Sequence, residues 1–312
     1  MRIRILPGGL AVALLVLSGC ATPPAKPAAA QAVAATSTGD ASAAGEKGRP
    51  LAPAAAKAFA AAVQKGDEDL QAQDFDRAIY DYIQALEKSP NDATTLAKIG
   101  AIEDARGEAA LAEKAFDLAH AADPKDPRIA ERLARLYLRE ARIDNAAELY
   151  LAVLSQEPDR APALEGMGEV CVARDAFEDA VRYFDRALAA TKADRAAVLT
   201  HRGYAKARLN DLDGAEADFR AALNLQSRED AWRYLGDLLA RRGDSADALE
   251  ALVHVMDTSQ AYNEIGIMLM GVGKFQAAKD YFSKAIKAAP SYFEEAQKNL
   301  AVADEHLRTP SG

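Results

Sequence analysis

Residues 99–124 read IGAIEDARGEAALAEKAFDLAHAADP, and three features of that string decide the fold: Gly100, Ala112 twelve positions later, and Phe116 four beyond it, closed by Pro124. Leu96 and Ile99, just before Gly100, supply the apolar stripe of an amphipathic helix. The same arrangement appears seven times. Working outward, it recurs as Gly66, Ala78, Tyr82, Pro90 and as Ala134, Ala146, Tyr150, Pro158, then as Gly168, Ala180, Phe184, Lys192. It continues as Gly203, Ala215, Phe219, as Gly236, Ala248, Leu252, and finally as Gly266, Ala278, Phe282, Pro290. The intervals between successive small residues are 34, 34, 34, 35, 33 and 30. Such a fixed period marks a repeat architecture in which each unit is one supersecondary element.

The pattern resembles the tetratricopeptide repeat, and the likeness runs from about residue 59 to residue 292. It implies an all-α fold: a TPR-like α-solenoid, a right-handed superhelix of about seven helix-turn-helix repeats with a C-terminal capping helix. Energetics agree with an array. Burying four or five large side chains in one unit contributes roughly 10 kcal/mol, whereas ordering its backbone costs about 1–2 kcal/mol per residue. One unit cannot fold alone, and stacking supplies the missing interfaces. The 30-residue interval predicts a shortened second helix in repeat six and a kink or contact point between Val253 and Ala261. Residues 292–307 read as the capping helix, with Phe293, Ala296, Leu300 and Ala303 on one side.

The N-terminus has a different character. Arg2 and Arg4 precede an apolar run from Leu10 to Leu17, followed by Ser18, Gly19 and Cys20. A run of that length is too short to span a bilayer and has the layout of a secretory leader. The tetrad Leu17-Ser18-Gly19-Cys20 resembles the lipobox of bacterial lipoproteins. That resemblance implies removal of residues 1–19, acylation of Cys20, and, with Ala21 in the next place, residence in the outer membrane on its periplasmic face. Three acyl chains would anchor the protein durably, since one chain alone binds marginally. Residues 20–50 are rich in Ala, Pro, Ser, Thr and Gly and cannot build a core, so they read as a tether. Its reach is about 30 Å as a coil and on the order of 90 Å extended. The solenoid is then expected over residues 51–307, with 308–312 as a disordered tail.

Composition excludes several functions. With 38 basic and 47 acidic residues the net charge is −9, unlike a protein that binds nucleic-acid phosphates. Two cysteines, Cys20 and Cys171, provide neither a disulfide framework nor a thiolate metal site. Cys171 sits between Val170 and Val172 on a first helix and reads as a buried, unreactive thiol. His120, His201, His254 and His306 fall in different repeats, with no two on one helix at metal-ligand spacing. Asn210-Asp211-Leu212-Asp213-Gly214 lacks ligands at the ends of a calcium loop. Gly271-Val272-Gly273-Lys274-Phe275 lacks the first glycine and the hydroxyl residue of a phosphate loop. No catalytic residues, metal site, cofactor or small-molecule substrate is expected.

In tetratricopeptide proteins the inner groove is lined by first helices, at positions six and three before the small landmark and one, four and five after it. Carried onto this sequence, the resemblance names Arg128, Glu131, Arg135, Leu138 and Arg139 in repeat three, and Thr200, Tyr204 and Arg208 in repeat five. Repeat six gives Asp230, Arg233, Asp237 and Arg241, and repeat seven gives Asn263, Ile267 and Met270. Arginine forks bind carboxylates bidentately, which suits an acidic peptide or helix segment as ligand. Alternatively, the arginines pair with Glu131, Asp230 and Asp237, and the apolar patch of repeat seven is covered by the terminal helix. The Asn-rich clamp of chaperone-binding members is absent, because Arg135, Tyr204 and Asp237 stand in those places. Lipobox and repeats together, with the closing string AYNEIGIMLMGVGKFQAAKDYFSKAIKAAPSYFEEAQKNL, resemble the repeat lipoproteins of Flp/Tad pilus assembly and the secretin pilotins. This implies a membrane-tethered scaffold that gathers envelope proteins. An adaptor for peptidoglycan hydrolases or a periplasmic protease is the alternative.

Overall fold

The computed structural model describes residues 51–190 and 195–308; Cys20, the tether, Lys192 and the tail lie outside the described residues. Among the described residues there are fifteen α-helices and no strand, and none of the helices is long and apolar enough to cross a membrane. They fall into two units, divided between Pro90 and Asn91.

The first unit holds α1 (Pro53–Gln71) and α2 (Phe75–Leu86). Pro53 opens α1 at a position whose N–H has no helical partner to lose, and Asp74 caps α2 by accepting from the Arg77 amide at 3.3 Å. Tyr82 is fully buried against Gly66, and its hydroxyl donates to Asp67 at 2.6 Å.

The second unit is an α-solenoid of six helix pairs and a terminal helix. The pairs are α3 (Ala93–Ala105) with α4 (Ala109–Ala122), α5 (Pro127–Arg139) with α6 (Ile143–Gln156), and α7 (Ala161–Ala173) with α8 (Phe177–Ala190). They continue with α9 (Arg195–Arg208) and α10 (Leu212–Leu225), α11 (Glu229–Arg242) and α12 (Ser245–Leu252), and α13 (Thr258–Gly271) and α14 (Phe275–Ala288), before α15 (Glu294–Arg308).

The landmarks now have physical roles. A Cβ on Gly168 would fall 2.3 Å from the Phe184 ring, and one on Gly266 would fall 2.5 Å from Phe282, so only a hydrogen admits the aromatic residue of the second helix. Those rings are fully buried, as are Ala112, Ala146, Ala180, Ala215, Ala248 and Ala278. Repeat three carries Ala134 instead, and there the Tyr150 ring leans onto Gly166 of the next repeat, where a Cβ would fall 2.2 Å away.

A second periodic feature lies in the turns. Seven positions after each landmark the backbone is left-handed: Gln73, Gly107, Ala141, Asp175, Asn210, Gly243 and Gly273 have φ between 57° and 104°. Each ends a first helix with paired backbone bonds, such as Arg142 N–H to Tyr137 C=O at 2.8 Å and Ala141 N–H to Leu138 C=O at 3.1 Å. This reverses the chain and sets the second helix against the first.

Repeat six is shortened as expected: α12 has only 8 residues. The irregular stretch is briefer than the sequence suggests, because Asp257 caps α13 with a full capping box and residues 258–261 are already helical. His254, in the turn, stacks on Trp232 at 4.0 Å.

Candidate protein-binding groove

An α-helix advances roughly 100° per residue, so positions one, four and five after a landmark, and six and three before it, lie between roughly 40° and 140° around from it. Since the landmark faces its own second helix, these positions form a separate strip on each first helix. On α5, α7, α9 and α11 the strips line three adjoining depressions. Arg135, Leu138, Arg139, Ile143, Glu169 and Ala173 line a pocket of about 270 Å³. Glu169 and Ala173 are shared with a pocket of about 320 Å³ completed by Val172, Phe184, His201, Tyr204 and Tyr234. Tyr234 is shared in turn with a depression of about 520 Å³ along residues 226–230 and Arg233.

The arginines differ in how far the fold uses them. Arg128 is exposed and chelates Asp126, the N-cap of its own helix, at 2.7 and 3.1 Å. Arg139 pairs with Asp104 of the preceding repeat. Arg208 donates to the Tyr204 hydroxyl at 2.9 Å, meets Asp175 at 3.5 Å and lies 4.4 Å over the Phe177 ring. Arg233 reaches Glu229 at 3.4 Å. Arg135 and Arg241 make no ion pair among the described residues.

Two of the three carboxylates expected to pair with these arginines are engaged elsewhere, whereas Asp237 stays within the electrostatic reach of Arg241 and Arg233. Both Glu131 oxygens accept from Arg160, at 2.5 and 3.0 Å, and Asp230 is held bidentately by Arg228 at 2.8 and 3.0 Å. The Glu131 contact holds Arg160 far above its ordinary range, and hydrogen bonding to Arg128 keeps the Asp126 carboxyl low.

In repeats three, five and seven the position three before the landmark turns into the seam between consecutive first helices. Glu131 and Asn263 are buried there, and Thr200 is fully buried with its hydroxyl donating to the Ala196 carbonyl at 2.8 Å. Thr200 therefore does not face the groove. Asn263 accepts from Asn299 of α15 at 3.0 Å, while Ile267 and Met270 are half-buried in the apolar cluster that Leu300 joins. The terminal helix thus covers part of the repeat-seven patch.

Between the arginines lies an aromatic floor. The Tyr204 and Tyr234 rings are 5.2 Å apart, and Tyr234 lies 5.8 Å from Phe219. Burial pushes the Tyr234 hydroxyl up, helped by Tyr204, Asp230 and Asp237. Burial first, and the Glu264 carboxylate second, raise Asp237 to about 6. Glu264 is itself raised by burial and by Glu295 of α15. Cys171 is buried and its thiol is raised by that burial, away from the nucleophilic form.

Glu169, Val172 and Ala173 stand one, four and five after Gly168, on the same strip of repeat four, and line the pockets too. His201 and Tyr234 lie two positions before their landmarks, outside that strip. His201 also meets Glu165 and Glu169 of α7, and the donor atoms of the three lie within 4.8 Å of one another. A search for two histidines on one helix passes over this group.

A family model described as tetratricopeptide repeat matches residues 63–127, 131–195 and 200–253, and a second of the same description matches 259–292. The chain belongs to the tetratricopeptide repeat family. Among solved structures, it is similar to a tetratricopeptide repeat protein from Parabacteroides merdae, with TM-score 0.58 and 19% identity over 80% of this chain and 99% of that one. It is also similar to PilW, described as a widely conserved type IV pilus biogenesis factor, with TM-score 0.57 and 22% identity over 67% of this chain and 98% of PilW. A curated relative, the CTR9 homolog of Arabidopsis thaliana, is 29% identical over 185 residues, 58% of this chain; the match spans only 15% of that protein's length. As a tetratricopeptide repeat protein the chain is a protein-interaction scaffold, a fold that generally carries binding surfaces rather than catalytic centres.

Proposed function

We propose that this protein is a lipoprotein anchored at the periplasmic face of the outer membrane, whose groove collects envelope proteins during assembly of a surface machine of the Flp/Tad pilus or secretin class. The observation that carries the reading is the chain of pockets on α5, α7, α9 and α11. Arg135 stands at one end without an ion pair, and Tyr204 and Tyr234 form an apolar floor beyond it. That surface suits a partner segment with acidic and apolar side chains, bound through arginine forks and aromatic contact. The leader ending in Leu17-Ser18-Gly19-Cys20 supports anchoring. The pairing of such a leader with a repeat array supports the pilus or secretin setting, and PilW, a type IV pilus biogenesis factor, shares the fold. Tethering raises the effective concentration of a captured partner into the millimolar range.

Two measurements test this. Cys20→Ser should leave the protein unprocessed or released into the periplasm, and unchanged fractionation with the outer membrane would end the anchoring reading. Arg135→Glu combined with Arg139→Glu should abolish co-purification of the partner while leaving helicity intact. Undiminished co-purification would remove the groove from the account.

A further inference from the structure

We infer that Glu165, Glu169 and His201 form a binding site for one divalent transition-metal ion of the zinc class, opening on the central pocket of the groove. Glu165 and Glu169 are one helical turn apart on α7, so both carboxylates project from the same side. His201 comes from α9 and places Nδ1 3.7 Å from Glu165 Oε1 and 3.5 Å from Glu169 Oε1. Two ligands about 2.0–2.1 Å from a tetrahedral zinc are about 3.3 Å apart. The two imidazole–carboxylate separations therefore exceed that spacing by only a few tenths of an ångström, and all three donors lie within 4.8 Å of one another.

Several observations favour an ion over a simple charge pair. A protonated imidazole satisfied by one carboxylate would give Nδ1 a hydrogen bond, yet that atom is buried and has no hydrogen-bond partner while facing both carboxylates. For Glu169 the one ion contact among the described residues is His201. Arg139, across the adjoining pocket, is engaged with Asp104. One imidazole and two carboxylates suit zinc and its first-row neighbours, whereas calcium and magnesium favour sites made of oxygen alone. Glu169 and His201 also line the 320 Å³ pocket, which leaves a coordination position open towards the groove.

The test is titration of the full chain, stripped with a chelator, with zinc chloride by isothermal calorimetry. The inference predicts saturation at one ion per chain in the micromolar range. Glu165→Gln, Glu169→Gln and His201→Gln should each weaken it at least tenfold, and His254→Gln should leave it unchanged. Zinc should raise the melting temperature of the wild type and of His254→Gln, and raise that of the three ligand variants by clearly less at the same zinc concentration. Since the two Glu→Gln changes conserve size, their helicity in chelator should match the wild type. Lack of saturable binding up to millimolar zinc overturns the site, as does equal affinity in the ligand variants.

Discussion

The close approach of Gly168 to Phe184 makes a quantitative demand. A Cβ at Gly168 would lie 2.3 Å from the Phe184 Cε1 atom, and the ring is fully buried. Gly168→Ala should therefore cost about 1–3 kcal/mol for the overlap, reduced by the ~1 kcal/mol that alanine gains over glycine inside a helix. A net loss of up to about 2 kcal/mol follows. Phe184→Ala should cost about 3–5 kcal/mol, as lost burial plus a cavity. In the double variant the overlap is gone and the new methyl group points into the vacated space, so it should be no less stable than Phe184→Ala alone. That amounts to a coupling of about 1–3 kcal/mol between the sites. Urea titrations followed by helical circular dichroism, with slopes checked for equal unfolding, measure all four corners of the cycle. Additivity within ~0.5 kcal/mol would refute the steric argument. So would a Gly168→Ala variant stabilised by ~1 kcal/mol, as at an exposed helical glycine.

Further expectations come from other parts of the second unit. Ala141, left-handed at φ 58°, pays a steric cost of about 1–2 kcal/mol that glycine avoids, offset partly by glycine's greater chain entropy. Ala141→Gly should thus stabilise by ~0.5–1 kcal/mol in the same titration, and destabilisation would contradict the turn geometry. Asp237, raised from 3.8 to about 6, holds a proton in the folded state that the unfolded chain has released. Its contribution is present below about pH 4 and lost as pH rises through 6. Asp237→Asn should accordingly stabilise by up to ~3 kcal/mol at pH 7.5 and change little at pH 4, and a pH-independent effect would sink that reading. Glu131→Ala leaves Arg160 without its bidentate partner and should lower stability by about 1–3 kcal/mol, since the pair is buried on one side and partly exposed on the other. A neutral outcome would show that solvent replaces the carboxylate.

What the sequence revealed and what it concealed divide along physical lines. Gly100, Ala112 and Phe116 announce the helix pair because sterics at a crowded crossing leave few alternatives, and that constraint recurs in six of the seven repeats, all but the one with Ala134. The shortened α12 was legible as a missing interval, though not the capping box at Asp257 that restarts the helix immediately. The left-handed turn residues were illegible, because four of the seven are Gln73, Ala141, Asp175 and Asn210 rather than glycine. In the groove, the resemblance to tetratricopeptide repeats named Arg135, Leu138 and Tyr204, which line the pockets. It could not show that Glu131 turns into a seam, since that depends on Arg160 reaching back from the next repeat. The meeting of Glu165 and Glu169 with His201 is also a product of stacking: the histidine is a repeat away from the two glutamates in sequence, and no local pattern joins it to them.

The central claim, that the first-helix strip captures the partner, is tested most directly by site-specific photo-crosslinking in cells. The crosslinker would replace Leu138 or Tyr204 on the strip, and Leu151 or Leu225, exposed on the second helices α6 and α10, as controls. The account predicts adducts from positions 138 and 204 that disappear when Arg135→Glu and Arg139→Glu are added, with none from 151 or 225. Equal adducts from the second-helix positions, or strip adducts indifferent to the two arginines, would contradict it.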